Sequence, residues 1–174
     1  LYERYKLNTQ KKFIVYSIPK ESAFDFIDGK NNYYLSSKQL YDDKSKMMFH
    51  VIHNWWALGT ENTQTIYQTN AEIKNHVLMV KNNIIRFYDK KIGVIKDKLN
   101  YKNNSENKLR LDYLVISGNN LQRIEDVKKH FEFKLLIIDS SNPLWKAKKI
   151  IEECKKLNVN YYSVLHQGAF VADI

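Results

Sequence analysis

The sequence predicts an α/β (α+β) domain with a single hydrophobic core, and three observations carry that prediction. Short apolar runs separated by turn residues fill residues 1–95, and continuous apolar strands alternate with helical patterns over 111–174. A hydrophobic fraction of 44% with 27% charged residues over 174 positions is the balance of an ordered chain long enough to bury a core. The expected organisation is one domain over 1–174: a β-meander-rich half at 1–95, a loop at 96–110 and an αβ-alternating half at 111–174.

Residues 13–17 form a β-rich run that Pro19 stops, and residues 23–28 follow with apolar Ala23, Phe24, Phe26 and Ile27. Asp28, Gly29, Lys30 and Asn31 have the chemistry of a tight hairpin turn, which makes 33–35 the return strand. From 43 to 58, Met48, Val51, Ile52, Trp55 and Trp56 keep the three-four spacing of an amphipathic helix, with Asp43 as N-cap and Gly59 as stop. A strand through 47–52 competes with it, because a short apolar run fits either period. Thr65, Ile66 and Tyr67 lie in a polar stretch without a clear period. The runs at 77–80, 84–88 and 92–95 are split by Asn82 and Asn83 and then by Asp89, Lys90 and Lys91. Breaks that short permit only hairpins, so a second antiparallel meander is expected.

Residues 96–108 are rich in Lys and Asn and have no apolar period, which predicts an exposed loop. Residues 111–116 then form an apolar strand ending at Ser117 and Gly118, 124–131 a short helix, and 135–138 a second apolar strand. Ser141 and Asn142 before Pro143 supply a capping side chain followed by proline at the first helical position, and the helix runs to about 157. Strands at 159–164 and 169–172, around Gly168, close the chain. Strands with few polar positions are buried on both faces, so helices are expected to cover the sheet.

The formal net charge of +9 favours an anionic partner such as DNA, RNA or a lipid surface. Only Arg4, Arg86, Arg110 and Arg123 among the 28 basic residues are arginines, a bias that an AT-rich coding sequence also produces. The single cysteine, Cys154, excludes an intrachain disulfide and sits on a helical apolar face, where a thiol behaves as a small hydrophobe. No run approaches the ~18 apolar residues of a membrane span. The chain opens on Leu1 without the apolar region of a signal peptide, and is expected to be a piece of a larger protein.

Few residues suggest chemistry. His50 and His53 share a helical face, but no third ligand has a comparable placement. Cys154 and His166 are the residue types of a nucleophile and its base, but the thiol belongs to the apolar face. Five scattered glycines build neither a phosphate loop nor a dinucleotide fingerprint, and no cofactor is expected. Trp55 and Trp56 could stack exposed bases, and Lys146, Lys148 and Lys149 could meet phosphates.

Two stretches resemble a known family. The first is Phe13, Ile14, Val15, Tyr16, Ser17, Ile18, Pro19, Lys20, then Ser22 to Gly29. The second comprises Asp112 to Ser117, Ile138, Asp139, Ser140, Ser141, Asn142, Trp145, Asn160, Tyr161, Tyr162 and the closing Gln167, Gly168, Ala169, Phe170, Val171. In order, these are similar to the C-terminal region of ComEC competence proteins, inner-membrane channels that take up single-stranded DNA. The resemblance implies a soluble extracytoplasmic domain of a bacterial inner-membrane protein, with single-stranded DNA and the membrane channel portion of the parent chain as partners. It also implies an αββα sandwich of the metallo-β-lactamase type. Active relatives of that type carry a His-x-His-x-Asp-His loop and further His or Asp ligands after later strands, and this chain carries none of these.

After residue 116 stand Ser117, Gly118, Asn119 and Asn120, and neutral amides are poor Zn²⁺ ligands. The expectation is therefore a truncated metallo-β-lactamase-like sandwich of β-sheets flanked by helices, with the metal site absent. Its vestigial ligand loops would hold Ser117, Gly118, Asn119, Asn120, Asp139, Ser140, Ser141, Asn142, His166 and Gln167. Two rival readings stand beside it. One is a hydrolase or nuclease using Asp139, Ser140 and His166, which follow strand ends where α/β sites commonly lie. The other is a general protein interaction module whose charge is only compositional.

Overall fold

A computed structural model describes residues 2–68, 72–97, 107–118 and 123–174. Two sheets form its centre. The first has five strands in the order β12-β1-β2-β3-β4, and the second has seven in the order β11-β10-β9-β8-β7-β6-β5.

In the first sheet, β1 (Lys11–Val15), β2 (Phe24–Asp28) and β3 (Asn31–Ser36) form the predicted antiparallel meander. Gly29 holds φ of +58° in the two-residue turn that pairs Asp28 with Asn31. In the second sheet, β5 (Ile73–Lys74), β6 (Leu78–Lys81), β7 (Ile84–Phe87) and β8 (Lys90–Ile95) are antiparallel neighbours. Asn82 and Asn83 both lie in the left-handed region that the tight β6–β7 turn demands. From β8 onward the pairing is parallel, through β9 (Leu109–Ile116), β10 (Phe131–Ile138) and β11 (Tyr161–Ser163).

Strand alternation divides the side chains into four layers. Phe13, Val15, Phe24, Phe26 and Leu35 of the first sheet meet Leu78, Val80, Phe87, Val94, Val115 and Ile137 of the second in one buried core. The opposite face of the first sheet, with Ile14, Tyr16, Ile27 and Tyr34, packs on Leu40, Met47 and Val51 of the helices between β3 and β4. The opposite face of the second sheet, with Leu114, Ile116, Leu136 and Ile138, is covered by α5 (Ile124–His130) and α6 (Leu144–Lys156). Sheets flanked by helices are thus the observed architecture, in αββα order.

Several elements depart from the sequence reading. A helix, α1 (Tyr2–Thr9), precedes β1, and α2 (Lys38–Asp42) follows β3 with Ser37 as its cap, Leu40 N donating to Ser37 Oγ at 3.1 Å. The helical reading of 43–58 holds over the strand alternative, with Asp43 accepting from Lys46 N at 3.0 Å. The helix runs as α3 (Lys44–Met47), a π-helical turn over Met48–Ile52 and α4 (His53–Ala57). The polar stretch becomes β4 (Asn62–Tyr67), an edge strand that shows solvent most of its side chains and therefore has no apolar period. Of the expected 96–110 loop, 98–106 lie outside the described residues, and Leu109 and Arg110 already belong to β9.

The last strands also differ from expectation. Residues 159–164 yield only the short β11, after which Val164–Gln167 turn into helix α7. The closing strand β12 (Phe170–Asp173) does not join its sequence neighbours but pairs antiparallel with β1 in the first sheet. Sheet membership therefore does not follow chain order. The cap of α6 is Pro143 itself, because the Asn142 amide turns instead to the carbonyls of Ile116 and Asp139.

Candidate functional site

The parallel register aligns Ile95, Ile116, Ile138 and Ser163 at one end of the second sheet. The segments that follow, beginning with Lys96, Ser117, Asp139 and Val164, therefore emerge side by side, and carboxyl ends of parallel strands are where α/β domains place ligands. The structure brings Ser117, Gly118, Asp139, Ser140, Ser141, Asn142, His166 and Gln167 to this end, while Asn119 and Asn120 lie outside the described residues.

Asp139 is fully buried, and protein groups surround its carboxylate. Ser117 Oγ donates to Oδ2, and Ser141 donates to Oδ1 through both its hydroxyl and its backbone N–H, with Asn142 Nδ2 at 3.1 Å from the same oxygen. Ser22, from the loop after β1, places its hydroxyl 3.2 Å from that of Ser117. Burial raises the Asp139 pKa, and the hydroxyl donors pull it back. Ser140 ties the same corner to the first sheet: its hydroxyl accepts from Ile18 N at 3.0 Å and lies 3.2 Å and 3.1 Å from the carbonyls of Tyr16 and Glu21. With its donors supplied internally, this corner reads as a hydrogen-bonded knot joining the two sheets.

Lys146 requires a correction. It was expected on a basic surface, but its side chain is completely buried, with Nζ donating to Gly118 O at 3.1 Å. The spacing explains the burial, because Lys146, Ile150 and Cys154 recur every four residues on the face of α6 that meets the sheet. Burial lowers the Lys146 pKa to about 8 against the opposing field of Asp139. Beside it Asn142 directs Nδ2 at three acceptors, and its buried Oδ1 has no partner among the described residues. Cys154 is buried as expected, and burial pushes its thiol up to about 12, the state of an inert packing residue.

The open ground lies on the other side of α6. A groove of about 540 Å³ runs between α6 and the β11–α7 edge, lined by Lys148, Ile151, Glu152, Lys155, Tyr161, Ser163, His166 and Gln167. Lys148 and Lys155 are seven residues apart, about two helical turns, so both project from one face of α6. His166 is fixed by a 2.8 Å contact between Nδ1 and Ser163 Oγ, and Gln167 Oε1 accepts from Ser163 N at 2.9 Å. Two rings, one side-chain amide, two ammonium groups and the Glu152 carboxylate thus share one trough at the open edge of the second sheet. Sequence reading found Lys148, His166 and Gln167 but missed Lys155 and Tyr161. The seven-residue spacing from Lys148 was the signal for Lys155.

The remaining candidates separate. His166 pairs with Ser163, whereas Asp139 is held by Ser117, Ser141 and Asn142, and Ser140 by backbone groups, so the proposed Asp139, Ser140 and His166 relay is not assembled. Lys149 is exposed on α6 but does not line the groove. Trp55 is no free stacking platform: its indole N–H donates to Asp25 at 2.6 Å and its ring meets Tyr34 edge-on. Trp56 is exposed. Among the described residues no three of His, Cys, Asp and Glu are grouped to hold a metal ion, and no helix is long and apolar enough to cross a membrane.

Fold and site together define a four-layer αββα domain with a polar knot at the ends of its parallel strands and a groove holding Lys148, Lys155 and Glu152 at the neighbouring sheet edge. Residues 13–174 match the family model of the ComEC C-terminal domain, and the chain belongs to that family. No curated protein and no solved structure matches it. Membership ties the chain to competence for DNA uptake and to a membrane-channel parent.

Proposed function

We propose that this chain is a non-catalytic, extracytoplasmic domain of a bacterial inner-membrane DNA-uptake channel, and that it assists uptake by holding single-stranded DNA in the groove beside α6. The groove is the observation that carries this reading. Lys148 and Lys155 supply phosphate contacts, Tyr161 and His166 supply flat rings for base stacking, and Gln167 adds an amide at the rim. Such a set favours a flexible single strand over a duplex, because stacking requires unpaired bases. In this reading the fold is a truncated metallo-β-lactamase-like sandwich, with the Asp139 knot standing where hydrolytic relatives would hold their metal.

Fluorescence anisotropy with a labelled oligothymidylate, measured across a salt series, tests the proposal. Saturable binding that weakens steeply with salt is expected. Lys148→Glu with Lys155→Glu should lower affinity by at least about tenfold and flatten the salt slope by about two. Absence of saturable binding, or binding indifferent to the double substitution, would overturn it. DNA cleavage in the presence of Mn²⁺ or Zn²⁺ would overturn the non-catalytic part.

A further inference from the structure

A different face carries a second, independent inference. Residues 47–60 contain no Asp, Glu, Lys or Arg, although 27% of the whole chain is charged. Most of this stretch is the helix over the outer face of the first sheet, and the π-helical turn at Met48–Ile52 sets its rotation. In a regular α-helix, residues four apart drift by about 40° per step, so the buried row of Met47, Val51 and Trp55 would swing off the sheet. The wider turn takes up that drift and holds the row over Ile14, Tyr16 and Tyr34. The same rotation leaves three large apolar side chains outward, with Phe49 75%, Trp56 64% and Met48 42% exposed and the exposed His53 ring against Trp56, while Ile52 is half-buried against the core.

We propose that this face rests in the interfacial region of a lipid bilayer. A polyanion is a poor occupant, because the face has no fixed cation to release counterions. A second copy of the chain is also a poor occupant: the four exposed side chains Met48, Phe49, His53 and Trp56 on the crest of one helix fall far short of the roughly 20–30 residues a side that a stable protein interface uses. A bilayer interface makes neither demand. It accepts a convex apolar crest to a depth of about 5–10 Å and favours tryptophan at the boundary between acyl chains and headgroups. The membrane association of the family supplies the surface.

Co-sedimentation of the chain with phosphatidylcholine vesicles at physiological salt tests the proposal, with tryptophan emission recorded alongside. The protein should pellet with vesicles and its emission should shift to the blue. Phe49→Ser with Trp56→Ser should lower partitioning by at least about tenfold. Lys148→Glu with Lys155→Glu should leave it unchanged, which separates this face from the DNA groove. Acyl-brominated lipid should quench the wild-type emission, and Trp56→Phe should remove most of that quenching, a readout that does not depend on the double variant folding. Failure to pellet, pelleting unaffected by the Phe49 and Trp56 changes, or absence of quenching overturns the proposal. So does a lipid-free dimer, or oligothymidylate binding, that those changes abolish.

Discussion

The indole N–H of Trp55 donates to the carboxylate of Asp25 at 2.6 Å, joining the outer helix layer to the middle of the first sheet. Asp25 is fully buried, and it also accepts from Tyr16 OH at 3.0 Å and from Asn32 Nδ2 at 3.0 Å and 3.2 Å. Tyr16 OH in turn accepts from Asn54 Nδ2 at 3.0 Å, so its one hydrogen is free to point at Asp25. Trp55, Tyr16 and Asn32 thus all donate to one carboxylate. Burial nevertheless outweighs them and pushes Asp25 up to about 7.

A pH dependence follows. In the unfolded chain Asp25 titrates near 4, and in the folded chain near 7. Between those values the folded state binds the extra proton, so the contribution of this group to stability falls as pH rises through that window and is level above it. Its ceiling is on the order of 4 kcal/mol. Urea unfolding at a series of pH values should show this decline in the wild type and lose it in Asp25→Asn. Parallel profiles for the two proteins would refute the assignment.

Lys146 has the opposite sign. Its folded pKa of about 8 lies below the unfolded value of 10.5, so the unfolded state holds more protons between them and stability rises over that range. Lys146→Met, of similar length and apolar, should be neutral or stabilising at pH 7 and should abolish the alkaline rise in thermal midpoint. A marked loss of stability at pH 7 would show that the bond to Gly118 O outweighs the cost of burying the ammonium.

Ser140→Ala should destabilise the fold by about 1–3 kcal/mol, because the buried N–H of Ile18 loses the acceptor that joins the two sheets. Chemical denaturation measures it directly, and a change within experimental error would show that the knot is dispensable.

Gly29→Ala should cost at least about 2 kcal/mol. The residue sits at φ +58°, and an added Cβ would lie 2.6 Å from the backbone oxygen of Asn8, at the end of α1. Greater protease sensitivity at α1 should accompany the drop in denaturation midpoint, since the clash pushes that helix away from the hairpin.

The hairpins were legible in the sequence because Gly29 and the pair Asn82 and Asn83 announce backbone conformations that few other residues adopt. The strand β4 was not, because an edge strand facing water carries no apolar alternation. Within the candidate site, Lys148, His166 and Gln167 could be picked out individually, but their common groove depends on β11 packing beside α6. The charge of Lys146 points to the surface, whereas its four-residue spacing from Ile150 puts it on the buried face of α6.

What the sequence determined by itself is local: the turns, the helix capped by Asp43, the apolar strands and the family to which the series of motifs belongs. Only the tertiary structure decided that β12 returns to pair with β1, that Trp55 reaches Asp25 and Ser117 reaches Asp139, and that an uncharged helix crest faces outward. Turn chemistry and periodicity act over a few residues. Sheet order, burial and the burial-driven rise of a carboxylate pKa arise from contacts between segments up to 161 positions apart, which no local pattern encodes.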